Sequence, residues 1–175
     1  MLNQQFEIRA IHPSDNEAIR TVIQTVMPEF GAIGPGFSIE DPEVQHMFEA
    51  YQQPRCQYFV VIAKTDGKLI GGSGIGPLPA ADDNYCELKK MYLLADYRRQ
   101  KLGYRLMAAC LDFARATAYR FVYLETLQSM QQANALYVSS GFHRLEQRLG
   151  NTGHHGCDSY YLLDLQASSP VQEKS

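Results

Sequence analysis

Apolar and polar positions change period several times along the chain, and each change marks an element. Positions 6–11 read as a short first strand. His12-Pro13-Ser14-Asp15 ends it with turn chemistry and offers Ser14 or Asp15 as a helix cap. Ala18, Ile19, Val22, Ile23 and Val26 then recur at helical spacing, until Pro28 stops the pattern. A glycine loop covers 31–36. Asp41-Pro42-Glu43 puts Pro at a first helical position with acids near the positive end of the helix dipole. Val44, Met47, Phe48 and Tyr51 give this predicted second helix a narrow apolar face.

The second half alternates between the two periods. Strands are predicted at 58–63 and 68–75 around Asp66-Gly67, a strong hairpin turn signal. A loop at 77–84 leads to a strand at 86–94, and 95–99 connects it to a helix. Leu102, Leu106, Ala109, Cys110, Phe113 and Thr117 share one face of that helix. A β-rich strand follows at 121–126. Next comes a helix at 129–140, with Met130, Ala133, Leu136 and Tyr137 on one face and Gly141 as its C-terminal cap. Strands at 142–149 and 157–165 close the order. The fold class is α/β, with a hairpin-rich first half. The central strand–helix–strand unit has a connection long enough to make its strands parallel. One domain is expected over 1–165, and the polar, Pro-containing stretch 166–175 reads as a disordered tail.

Composition narrows the function classes. The 175 residues are 45% apolar, enough for a real core. A net charge of -3 argues against a general nucleic-acid binder. No run approaches a membrane span and no leader pattern opens the chain. Cys56, Cys86, Cys110 and Cys157 form no Cys-x-x-Cys pair, so neither a zinc site nor a disulfide framework is indicated. The expectation is a cytoplasmic protein with reduced thiols, no metal and no membrane or nucleic-acid partner.

Candidate chemistry concentrates in YRRQKLGYRL, residues 97–106. Arg98, Arg99 and Lys101 crowd against Gly103 where a helix begins. Cations fit the positive end of a helix dipole poorly, which counts against a merely solvated helix start. Free backbone N–H groups and added cations suit a phosphate-bearing ligand.

The wider stretch YCELKKMYLLADYRRQKLGYRLMAACLDFA, with VYLETL and ANALYVSSGF after it, resembles the GNAT superfamily of N-acetyltransferases. The likeness follows element order over 6–165 and is tightest over 87–142. It implies a GNAT-like acyl-CoA acyltransferase fold, a mostly antiparallel sheet with a parallel strand–helix–strand unit for the cofactor. It also implies acetyl-CoA as cosubstrate and a primary amine of a small molecule or peptide as acceptor. The family's loop pattern is Arg or Gln, two residues, Gly, one residue, then Gly or Ala. Here it falls on Arg98 to Gly103, with Lys101 where the first Gly usually stands. The resemblance thus assigns cofactor contacts to Met91 and Leu93 on the strand, and to Arg98, Arg99, Gln100, Lys101, Leu102, Gly103 and Tyr104.

Two catalytic residues are implied in the same way. Glu87 matches the family's strand carboxylate, a general base for the amine. By alternation it is expected on the face of Lys89, Met91 and Leu93. Tyr137, in ALYVSSGF, matches a tyrosine that protonates the departing thiolate. The family's Asn seven residues earlier is Met130 here, and Asn134 is no substitute for it.

The loop GNTGHHG, 150–156, carries His154 and His155. They read either as acceptor contacts, one of them an alternative base, or as imidazoles satisfying a glycine-bent hairpin. Glu29, Glu40, Asp41 and Glu43 read either as a pull on a cationic amine or as scattered surface acids. GGSGIG, 71–76, lacks the helix that a dinucleotide fingerprint needs, and reads as a small-residue strand beside a ligand or a bulge. A CoA-binding sensor or protein-interaction module on the same fold is the alternative function. The oligomeric state, a homodimer included, stays open.

Overall fold

The structure, a computed structural model, describes residues 5–167, so most of the expected tail lies outside the described residues. Seven strands form one sheet in the order β1-β2-β3-β4-β5-β7-β6. They are β1 Phe6–Ala10, β2 Gln57–Ala63, β3 Lys68–Pro77, β4 Tyr85–Leu93, β5 Phe121–Thr126, β6 His143–Leu145 and β7 Ser159–Asp164. Every neighbouring pair is antiparallel except β4–β5. This is the mostly antiparallel sheet with one parallel unit that the sequence implies.

Helices cover both faces. On one, α1 (Asn16–Val26) buries Ile19, Val22, Ile23 and Val26 against Met47, Tyr51, Tyr58 and Val60. On the other, α3 (Leu102–Ala116) packs Leu102 and Leu106 against Val61 and Ile70, and Met107, Cys110 and Leu111 against Leu88 and Val122. The buried stripe of α3 therefore runs through Met107, Leu111 and Ala114, with Ala109 and Phe113 at its flank.

The second predicted helix is broken. A 3-10 turn, Pro42–Gln45, is separated by His46 from the single turn of α2, Met47–Ala50. Two contacts explain the break. Asp41 and Glu43 are drawn to Lys90 on β4, while Asn16 Oδ1 accepts the Phe48 N–H at 2.7 Å and starts a separate turn. The penultimate strand is also shorter than 142–149, because only His143–Leu145 finds a partner in β7.

Two features of β4 position the site. First, β4 and β5 pair only at Tyr85↔Phe121, Cys86↔Val122 and Glu87↔Tyr123, and then part. Second, β4 bulges. Gly72 pairs with Tyr92 but Gly74 with Lys89, so Ser73 faces both Lys90 and Met91. Lys90 takes φ +54°, and its carbonyl accepts the Tyr58 hydroxyl at 2.8 Å. One extra residue reverses the alternation. Glu87 and Tyr92 thus face the α1 side, whereas Leu88, Met91 and Leu93 pack toward α3. The expected shared face of Glu87, Met91 and Leu93 is corrected accordingly. The GGSGIG run is the small partner of this bulge. A Cβ on Gly72 would lie 2.6 Å from the Phe59 carbonyl, and one on Gly74 would lie 2.6 Å from the Tyr51 hydroxyl.

Candidate active site

The gap between β4 and β5 opens into a groove of about 840 Å³, bounded by Met91 to Leu93, the start of α3, and α4 (Gln131–Ser139). No strand covers residues 89–93 of β4 on the β5 side among the described residues, so backbone polar groups line the opening. The start of α3 is built by two left-handed residues, Arg99 at φ +63° and Lys101 at φ +60°. This conformation is the reason a glycine is common at the Lys101 position. Lys101 precedes the first helical turn and supplies no side-chain cap. The N–H groups of Leu102, Gly103 and Tyr104 have no preceding-turn acceptor and are left for a ligand. Gly103 has a second role. A Cβ there would come within 3.0 Å of Leu136, so its absence lets α3 and α4 close together.

Arg98 lines the groove but is heavily engaged. Its Nε donates to the Leu93 carbonyl at 2.9 Å and its Nη1 to Glu29 at 2.8 Å, while Nη2 is buried without a partner. It ties the end of β4 to the loop after α1. Arg99 and Lys101 keep unpaired cationic ends on the groove among the described residues. Tyr104 stands at the rim, its hydroxyl 2.9 Å from Ser139 Oγ. Gln100 does not line the groove. Asn134 donates to the carbonyls of Leu127 and Met130 and accepts the Tyr161 hydroxyl, so its amide is used within the fold.

A second, small cavity of about 50 Å³ adjoins the groove. Met91, Tyr92, Met130 and Tyr137 line both. Tyr137 is buried, and burial pushes its phenol well up, so it is protonated throughout the physiological range. Glu87 lines the second cavity at 3% exposure. Burial raises its carboxyl, against the pull of Lys89, His154 and Lys90, and Glu125 reinforces the rise.

A charged cluster supports this cavity. Asp41 accepts Lys90 Nζ at 2.6 Å and His154 Nε2 at 2.9 Å. Glu43 pairs with Lys90 and, at 3.3 Å, with Lys89. Burial alone would raise Asp41 and Glu43, but their hydrogen bonds and the lysine charges outweigh it and hold both low. The Lys90 side chain is fully buried, and the two carboxylates keep it charged despite desolvation. His154 Nδ1 lies 3.8 Å from Glu87 Oε1. His155 does not join it. Its exposed ring is 3.3 Å from Arg148 and lines neither cavity, because successive side chains of the loop diverge. Burial pushes the Cys157 thiol up to about 12, so it is no nucleophile here.

The sequence reading undervalued Asp41, Glu43, Lys90 and Glu125. The first two read either as a pull on a cationic amine or as surface acids, and Lys90 carried no sign of a buried role. Only the bulge turns Lys90 inward. Glu125 had one usable signal, its place two residues beyond Tyr123, the parallel partner of Glu87. The four cysteines are free, and no group of metal-ligating side chains occurs among the described residues. No helix there is long and apolar enough to cross a membrane.

Comparison with known proteins agrees with this geometry. The family model described as Acetyltransferase (GNAT) family matches residues 19–142. The uncharacterized N-acetyltransferase YjgM of Escherichia coli is 35% identical over 159 residues, covering 90% of this chain and 94% of its own. An uncharacterized N-acetyltransferase of Schizosaccharomyces pombe is 26% identical, covering 77% and 80%. Among solved structures, a GNAT-family acetyltransferase from Staphylococcus aureus Mu50 superposes with TM-score 0.76 at 20% identity, covering 92% of this chain and 99% of its own. YncA of Salmonella typhimurium, solved with its cofactor acetyl-CoA, gives 0.75 at 18% identity, covering 97% and 99%. A groove at an uncapped helix start, a parted strand pair and a buried carboxylate therefore sit on a shared fold, and the chain belongs to the GNAT family of N-acetyltransferases.

Proposed function

We propose that the protein transfers the acetyl group of acetyl-CoA to a primary amine by direct attack in a ternary complex. The observation that carries this reading is the meeting of the two cavities at Tyr137. The groove suits the cosubstrate. Backbone N–H groups of Leu102 to Tyr104, with Arg99 and Lys101, would hold its pyrophosphate. The uncovered side of β4 at Met91 to Leu93 would bond its amide-rich arm as an added strand. Arg98 fixes the loop, and Gln100, outside the groove, takes no part. The thioester would then lie between Tyr137 and the second cavity.

The amine enters the second cavity as an ammonium, drawn by Glu87 and Glu125. Glu87 removes one proton, which a raised carboxyl does more easily near neutral pH than an ordinary one. The neutral amine attacks the thioester carbonyl, whose oxygen is stabilised by a backbone N–H near Leu93. Collapse expels the thiolate, and Tyr137 protonates it. The 50 Å³ of free space favours a small amine, or the tip of a longer one, over a bulky acceptor. Calorimetry with acetyl-CoA, followed by thiol release with a panel of amines, tests the reading. Binding plus amine-dependent thiol release is expected. Binding without release for any amine would instead favour the CoA-sensor alternative.

A further inference from the structure

We propose that His154, held by Asp41, is the proton exit of the active site, carrying the amine's proton from Glu87 to solvent. The inference rests on Glu87 acting as the base. Converting an ammonium and a thioester to an amide and a thiol releases one proton per turnover. Tyr137 returns the second amine proton to sulfur, so the first is stranded on Glu87, a carboxyl only 3% exposed. Glu87 must lose it before the next cycle.

The groups facing Glu87 allow one route. Lys89 and Lys90 are cations engaged with Glu43 and Asp41, and accept nothing. Glu125 is held by Tyr123 at 2.8 Å and Thr152 at 2.9 Å and makes no hydrogen bond to Glu87 among the described residues. Cys157 stays a thiol. The imidazole of His154 remains. Asp41 accepts at Nε2, which fixes the proton on that nitrogen and leaves the Nδ1 lone pair toward Glu87, 3.8 Å away. A gap of that size closes by a small rotation or by one water, as catalytic hydrogen bonds do on substrate binding.

The step balances. The Glu87 O–H bond breaks as an Nδ1–H bond forms, giving an imidazolium between two carboxylates. The Nε2–H bond then breaks, and that proton passes along Asp41, whose side chain is 26% exposed, to water. Exchange with water after product leaves restores the starting tautomer. Asp41 thus both holds the imidazole and hands its Nε2 proton on to water, and His154 is the group that takes the proton from Glu87.

Two measurements test this. The first needs no acceptor. Nitrogen-15 NMR of the imidazole, assigned with His154→Gln, should show His154 protonated at Nε2 and bare at Nδ1 in its neutral form. The opposite tautomer would overturn the proposal. The second uses the amine of the panel that releases thiol fastest. His154→Ala should lower kcat by about 100-fold, the usual scale for lost proton transfer, with the acetyl-CoA dissociation constant unchanged and added imidazole restoring turnover. Undiminished kcat, or a loss that imidazole does not rescue, refutes the relay. Absence of thiol release by the wild type would instead count against the acetyltransferase reading.

Discussion

Glu87 joins two opposed effects in one side chain. Burial raises its carboxyl, so the folded chain binds that proton more readily than the unfolded chain does. Stability is therefore lost as pH rises from the ordinary carboxylate range through the raised value, and the cost is complete above it. Glu87→Gln removes the charge and keeps the shape. It should melt higher than the wild type at pH 8, with the difference vanishing in acid, while turnover falls about 100-fold. Differential scanning calorimetry across pH checks the sign, and a lower melting point at pH 8 would contradict it. Tyr137 gives the complementary case. Its ring packs on Phe142 and Tyr161, contacts that Tyr137→Phe preserves. Turnover should fall about 100-fold, the scale of a lost general acid, with acetyl-CoA affinity unchanged by calorimetry. Both residues could be singled out in the sequence because each sits at a fixed offset within a recognisable block, and the structure puts both on the second cavity. Asp41 and Lys90 were not, because a carboxylate and a lysine 49 positions apart carry no local sign that they meet.

Among the elements, the helix start after β4 was legible in the sequence as the place where α3 begins, and the structure adds what the family's usual glycine does at the Lys101 position. Lys101 occupies the left-handed region, which costs an L-residue about 1 kcal/mol. In Lys101→Gly that strain is relieved while the unfolded chain gains freedom, so net stability should shift by less than about 1 kcal/mol. Acetyl-CoA affinity, read by calorimetry, should stay within about ten-fold if, as proposed, the helix-start N–H groups carry most of the contact. A larger loss would assign the contact to the lysine ammonium. The bulge in β4 was not legible. Its cause is distributed among Tyr58 on β2, Ser73 on β3 and the acids that draw Lys90 inward, and alternation along one strand contains none of them. The GGSGIG run pointed to a bulge or a ligand without choosing. In the fold it serves the bulge, so Gly72→Ala should cost about 2 kcal/mol through overpacking against the Phe59 carbonyl, measured by urea denaturation.

Over the whole molecule, the α/β class, the parallel central unit and the element order could all be read from periodicity and turn chemistry. The insertion of β7 between β5 and β6 could not, since chain order does not fix spatial order. Charge also acts at this scale. Asp15, Asp41 and Glu43 all titrate low, because bonds and charges from Arg9, His154 and the lysines outweigh their burial. Their contribution is present above the ordinary carboxylate range and is lost as pH falls through the depressed values. Near-UV circular dichroism should therefore collapse in acid, with a shallower pH slope in Asp41→Asn. The same carboxylate has a mechanical consequence. Loop 36–41 and loop 150–156 are fastened to each other twice, by the Gly156 N–H on the Gly36 carbonyl at 2.9 Å and by His154 on Asp41. Neither fastening can release alone and free the loop, so amide hydrogen exchange should report both segments opening with one shared free energy. The acceptor would then wait on that opening, and its entry rate would level off at high concentration, set by a clasp rather than by diffusion.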